Sequence, residues 1–277
     1  MASMKDIKLR IISVESTMQI TKAMQLVAAS KLRRARERME ASQPFLKLAT
    51  DTMNAVAAGM DGKGAYFAPK SDKRLYVIVA GDRGLAGGYN SNVFKLVAEH
   101  AAGEPFQVLP VGKKALERYS RISGCVVSAE YPVAEVVTVG NAFHMAEMVL
   151  DGYNKGEFGQ VYLVYTRFDS MLTQTASLTQ LLPLTVPEKG DVNVGQVLVE
   201  QEPEEILKAV LPNVVAGSIF SAVRASFASE QAARRAAMDS ATKNAGDMIE
   251  DLSLKYNRAR QGAITQELTE IVAGAEH

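Results

Sequence analysis

Apolar residues near the N-terminus recur in alternating steps of four and three. Ile7, Ile11, Val14, Met18, Thr21, Gln25, Ala28, Leu32, Ala35 and Met39 fall on one stripe more than four heptads long. That spacing predicts a helix whose stripe meets another helix, with a weak middle where Thr21 and Gln25 are polar. Ser3-Met4-Lys5-Asp6 reads as its capped start. No glycine interrupts it before Ala58, and its one proline, Pro44, is expected to bend it or mark its weakest turn. Such a helix is roughly 80 Å long at 1.5 Å per residue.

The other end of the chain repeats the theme. Pro203, Glu204 and Glu205 read as a helix start with acidic groups at the positive end of the dipole. Pro212 is expected to interrupt, so that the long C-terminal helix begins there and stops at Gly274. Within Val215–Gly246, 17 of 32 residues are Ala, Ser or Gly. A helix of that composition lets a partner helix approach closely. Helices this long exceed the diameter of a compact domain of this size, so they must pair with each other or with another protein.

The middle of the chain alternates strand and helix patterns. Strands are expected at Lys73–Ala80, Phe106–Val111, Cys125–Ala129 and Val161–Phe168, and a last one within Met171–Leu184 forms a hairpin with its predecessor. Helices are expected at Ser91–Ala102, Lys113–Ile122 and Gly140–Asn154. Linkers are expected at Gly59–Asp72 and Pro187–Pro203. The fold class is therefore α/β: a long antiparallel coiled coil of N- and C-terminal helices with an inserted Rossmann-like α/β domain and a mainly parallel sheet. The expected division is a discontinuous shaft, 1–60 and 207–277, and a globular foot, 70–206.

Charge alters this picture only after it is divided. The 277 residues carry 31 basic and 31 acidic groups. The first forty hold nine basic and four acidic ones, and Lys22–Arg38 alone holds six basic residues against Glu37. That stretch is either a solvated helix face or a patch for an acidic partner. The longest unbroken apolar run is Leu75–Ala80, against the roughly 20 residues of a membrane span, so no span is expected. The opening residues lead into a polar periodic stretch with no apolar signal core.

Candidate chemistry is sparse. Cys125 is the one cysteine, and the three histidines are far apart in sequence, so no metal site and no cofactor is expected. The loop Gly81-Asp82-Arg83-Gly84-Leu85-Ala86-Gly87-Gly88 follows a strand and opens a helix, the position of a phosphate-binding turn. It lacks both the G-x-G-x-x-G spacing and a Gly-Lys-Ser/Thr sequence. Its glycines are better explained by tight backbone geometry, with Asp82 and Arg83 available to each other or to another chain. No nucleophile with a base is apparent, and the basic stretch has no aromatic residue, which argues against nucleic acid.

Three stretches carry a resemblance. Ile20-Thr21-Lys22-Ala23-Met24 running to Leu32, Asp82-Arg83-Gly84-Leu85-Ala86-Gly87-Gly88-Tyr89-Asn90, and Tyr256-Asn257-Arg258-Ala259-Arg260-Gln261 followed by Ile264–Ala275 resemble motifs of the γ subunit of F-type ATP synthases. Ala228–Arg234 is similar to the same family, and the resemblance covers the whole chain in order. No cysteine pair of the kind seen in chloroplast relatives is present.

The resemblance implies the central rotor shaft of the F1 motor. Such a shaft couples proton-driven c-ring rotation to ATP synthesis or hydrolysis at the beta subunits and is not itself catalytic. The implied partners are the α3β3 hexamer, the ε subunit and the c-ring. The implied location is peripheral, on the cytoplasmic face of a bacterial inner membrane. By position in the motifs, Met24, Arg260, Gln261, Thr265, Glu267 and Glu270 are candidate contacts with the hexamer sleeve. Lys31, Arg33, Arg34 and Arg36 are candidate electrostatic contacts with acidic lever loops of the beta subunits. Asp82, Arg83, Gly84, Gly87 and Gly88 form the central-domain motif. The competing readings are a Rossmann-like nucleotide-binding protein with helical extensions and a coiled-coil tether.

Overall fold

The computed structural model describes residues 4–60, 62–131, 133–185 and 202–275. Helix α1 is Met4–Gly59 and strand β1 is Arg74–Val79. Then follow α2 (Tyr89–Ala101), β2 (Phe106–Val111), α3 (Lys113–Tyr119) and a 3-10 turn at Ala134–Val136. The chain continues through α4 (Val139–Asn154), β3 (Gln160–Phe168), β4 (Gln174–Leu182) and α5 (Pro203–Ala275). The expected start at Ser3 and the linker Pro187–Pro203 fall largely outside the described residues.

The sheet has the order β2-β1-β3-β4, with the first three strands parallel and β4 antiparallel to β3. Side chains alternate across it, as the pleat requires. Leu75, Val77, Val79, Leu109, Val111, Val161 and Leu163 enter one core with α4, α5 and the end of α1. Tyr76, Ile78, Ala80, Val108, Tyr162 and Val164 enter the other with α2 and α3. Both faces are covered, which explains why β1 reads as an unbroken apolar run.

Three expectations need correction. Cys125–Ala129 is not a strand. Val126 makes one isolated parallel bridge to Val108, through Val108 N–H to Cys125 O (2.7 Å) and Val127 N–H to Val108 O (2.9 Å). The chain then turns away toward the Ala134–Val136 turn. Pro212 does not start the long helix, because α5 begins at Pro203 and continues through it to Ala275. A proline inside a helix costs about 3 kcal/mol. Leu207, Leu211, Val215 and Ile219 form a four-residue-spaced stripe spanning it, each 1% exposed or less. Burying four such side chains, at about 1.5–3 kcal/mol each, outweighs that cost. Pro44 likewise lies inside an unbroken α1. Finally, α5 contains a window long and apolar enough to cross a membrane by length and composition, which the run-length argument did not anticipate. Leu207, Leu211, Val215, Ile219 and Val223 of this helix line the core with the sheet.

The chain divides into two compact units, 1–29 with 234–277, and 30–233. The boundaries fall inside both long helices. The reason is visible in the second unit, where Leu32, Ala35 and Met39 of α1 and Ala225, Ala228 and Ala232 of α5 share a core with Tyr165 and Phe168 of β3. In the first unit the α1 stripe keeps its period. Ile7, Ile11, Val14 and Met18 are half-buried, while Thr21 and Ala28 are buried.

Replacing Pro212 by Ala restores a backbone donor in an already formed helix. It is expected to stabilise the chain by about 2 kcal/mol, after allowance for the lost rigidity of the unfolded chain; urea unfolding of P212A checks it. Burial, and secondarily Tyr66, pushes the Tyr153 phenol up to about 12, and its O–H donates to Ala68 O at 2.7 Å. The neutral phenol is the form the fold favours. Its contribution is complete below the ordinary tyrosine value near 10 and is lost as pH rises toward 12. Stability followed by urea titration should therefore fall over that window, and less steeply in Tyr153→Phe.

Candidate interaction surfaces

In an open α/β sheet, ligands bind beyond the carboxyl ends of the strands where the strand order reverses. Here that point lies between β1 and β3. Strand β3 outlasts β1, whose pairing with it ends at Ile78–Val164. The Thr166 N–H and C=O beyond that point therefore need other partners. Helix α5 supplies them: Thr166 N–H donates to Ser226 Oγ (3.0 Å) and Ser229 Oγ donates to Thr166 O (3.2 Å). At the end of β1, a Cβ on Gly81 would lie 2.9 Å from the Glu230 carboxyl carbon. Ser226, Ser229, Glu230 and Gln231 are all at most 4% exposed, so α5 is buried around its circumference here.

The loop after β1 is held by its own polar groups. Asp82 Oδ1 accepts from Ala134 N–H (2.9 Å) and Lys113 N–H (3.3 Å), and its Oδ2 accepts from Glu135 N–H (3.3 Å). Asn90 Oδ1 accepts from Gly81 N–H at 2.9 Å. Gly112 has φ +98 and lies so close to β1 that a Cβ would fall 2.1 Å from Ala80 O. The Asp82 carboxylate thus ties the loop after β1 to the start of α3 and to the Ala134–Val136 turn. Within the motif, Gly87 takes a left-handed φ of +56, which favours glycine, whereas Gly84 and Gly88 do not. Arg83 is exposed and makes no ion pair with a described residue, so Asp82 and Arg83 do not pair with each other.

The polar middle of the α1 stripe is a pairing element. Thr21 Oγ1 and Thr242 Oγ1 lie 2.8 Å apart, and Gln25 Nε2 donates to Asp239 Oδ1 at 2.9 Å. The order of these pairs sets α1 and α5 antiparallel in the first unit. Lys243, and to a lesser degree Gln25, holds the Asp239 carboxyl below the usual carboxylate range.

The basic stretch is partly neutralised within the chain. Lys31 pairs with Glu135 (2.9 Å), Arg33 with Glu37 (3.3 Å) and Arg36 with Glu40 (3.4 Å). Arg34 and Arg38 make no ion pair with a described residue. Exposed pairs contribute about 0–1 kcal/mol each and exchange readily for other partners.

Toward its C-terminus α5 loses cover. Every residue from Ile264 to Ile271 is exposed, including Ile264 (49%), Leu268 (58%) and Ile271 (67%) at helical spacing. Arg260, Gln261, Thr265, Glu267 and Glu270 share this exposed end, whereas Met24 is half-buried on α1. The Thr265 hydroxyl donates to Gln261 O, and Glu270 accepts from Gln266. Sequence reasoning missed Thr166, Ser226 and Ser229. Nothing in an Ala/Ser-rich helix distinguishes a serine that bonds a strand from one that bonds water.

These features define a class of protein: a sheet whose strand ends are crossed by a helix of the same chain, and long helices that leave an apolar end exposed. A family model described as ATP synthase matches residues 3–277. An ATP synthase gamma chain of Ruminococcus albus is 43% identical, covering 98% of this chain and 97% of its own. Another, of Paracoccus denitrificans, is 43% identical over 100% of this chain and 99% of its own. The central stalk and c-ring structure of the Tetrahymena thermophila mitochondrial ATP synthase contains a chain similar at 27% identity and a TM-score of 0.60, over 80% of this chain and 99% of that one. The chain belongs to the ATP synthase gamma family.

Ser226→Ala leaves the buried Thr166 N–H without an acceptor and is expected to cost about 1–3 kcal/mol. Thr166 Oγ1 is buried without a partner. Thr166→Val should therefore stabilise the chain, by about 1 kcal/mol. Chemical unfolding of the two variants checks the opposite signs.

Proposed function

We propose that this chain is the central rotor shaft of an F-type ATP synthase and catalyses nothing itself. It turns with the c-ring and biases the beta-subunit sites of the α3β3 hexamer between conformations by differential contact. The observation that carries the non-catalytic part is the occupied crevice: α5 crosses the strand ends beside which a Rossmann-like enzyme binds its nucleotide. The gamma-chain relatives along the full length support the rotor part.

The helix ends form the shaft and the sheet-bearing middle forms the foot, which meets the c-ring and the ε subunit. The exposed end of α5, with Arg260, Gln261, Thr265, Glu267 and Glu270, contacts the hexamer sleeve, together with Met24 of α1. Lys31, Arg33, Arg34 and Arg36 meet acidic lever loops, their weak internal pairs exchanging for partner carboxylates. The assembly is membrane-associated and the chain peripheral, on the cytoplasmic face of a bacterial inner membrane.

Mixing the chain with alpha and beta subunits should yield a stable complex with ATPase activity. Absence of such a complex would contradict the rotor reading. Neutralising Arg33, Arg34 and Arg36 together should lower torque at low salt more than at high salt, because exposed charges are screened within about 10 Å at 0.1 M. Equal torque at every salt concentration would remove the electrostatic contact from the account. A thermal titration of the isolated chain with ATP and NAD should produce no saturable shift.

A further inference from the structure

The second unit contains an apolar cavity of about 290 Å³ that neither the sheet nor the rotor reading uses. Its walls come from three elements: Ser42 and Leu46 of α1, Val139 and Phe143 of α4, and Gly217 and Phe220 of α5. All three walls lead to the same charged end. Arg38 lies one turn before Ser42, Arg224 lies one turn after Phe220, and α1 and α5 run in opposite directions. The Arg224 guanidinium sits over the Phe220 ring, 4.6 Å from its centroid. It donates one hydrogen bond, to Val137 O at 3.2 Å, just before α4. A guanidinium has five N–H donors, so most of this one's donors are unused by the protein.

Among the described residues neither arginine has a carboxylate partner. Arg38 acts electrostatically on Arg224 beside the Phe220 ring, and burial, with Arg38 second, lowers the Arg224 pKa. A second like charge beside a half-buried guanidinium favours an anion there. The cavity behind them is lined almost wholly by carbon. Its volume corresponds to about ten groups the size of a water molecule or methylene.

We propose that this cavity is a binding site for a free organic carboxylate with a tail of about eight to ten carbons. The head group is held by Arg224 and Arg38, and the tail lies between Leu46, Phe143 and Phe220. A three-walled pocket suits a tail better than a partner helix, which needs a groove open along its length.

The test uses the full chain and four probes. Octanoate should bind saturably, one per chain, by calorimetry and raise the melting temperature. Acetate, which has the charge without the tail, and octylammonium, which has the tail with the opposite charge, should not. Arg224→Gln should weaken octanoate at least tenfold, and Arg38→Gln reads the same contact if the first variant does not fold. Ser42→Phe, which fills the cavity and keeps both arginines, should also abolish binding. Equal stabilisation by octylammonium, or octanoate affinity unchanged in both arginine variants, would overturn the proposal. So would failure of octanoate to bind while an acidic, aromatic-bearing peptide bound the same arginines. That result would give the cavity to a protein partner.

Discussion

One helix crosses the place where a sheet of this kind ordinarily holds a ligand, and the rest of the second unit is arranged around that crossing. The Thr166 N–H and C=O at the end of β3 are beyond the reach of β1, and an unpaired buried backbone group costs about 1–3 kcal/mol. Ser226 and Ser229 meet both. Their side chains are short, so α5 must lie close against the strand ends. Close approach in turn requires Gly81 opposite Glu230 and small residues at Ala225, Ala228 and Ala232 on the α1 side. The polar and small residues of this stretch therefore answer one geometric demand.

The same crossing puts a helix of the chain itself beside the crevice of a Rossmann-like topology. The loop after β1 retains the turn-and-helix form of a phosphate site, but its Asp82 carboxylate is committed to the Lys113, Ala134 and Glu135 amides. A sheet used this way is a rigid anchor for a helix. Forces applied to the sheet unit pass into α5 through many buried contacts, including two hydrogen bonds to β3. Those bonds lie in a core too densely packed to yield gradually. The exposed ion pairs along α1 are weak by comparison.

Much of the fold was legible in the chain because it rests on periodicity. The α1 stripe appears in the structure with its spacing intact, and Phe106–Val111 matches the expected strand. Where the sequence misled, a local rule lost to burial. Pro212 reads as a break, yet Leu207, Leu211, Val215 and Ile219 hold the helix through it. Cys125–Ala129 has the composition of a strand, but the chain turns away to deliver the Ala134 and Glu135 amides to Asp82. Thr21 and Gln25 look like flaws in the stripe until Thr242 and Asp239 are placed opposite them. Such pairs join residues more than 200 positions apart, which no local pattern encodes. The Asp82 role was half legible, since the glycine spacing argued against nucleotide but could not say what the carboxylate held.

The central claim is that this chain is a turning shaft. Its most direct test is to watch it turn. The chain is assembled with alpha and beta subunits, the hexamer is fixed to a surface, and a bead is attached to the exposed Lys95 side of the sheet unit. On adding ATP, the account predicts sustained rotation of the bead in one direction. A bead that stays still, or only fluctuates, while the same complexes hydrolyse ATP would contradict it.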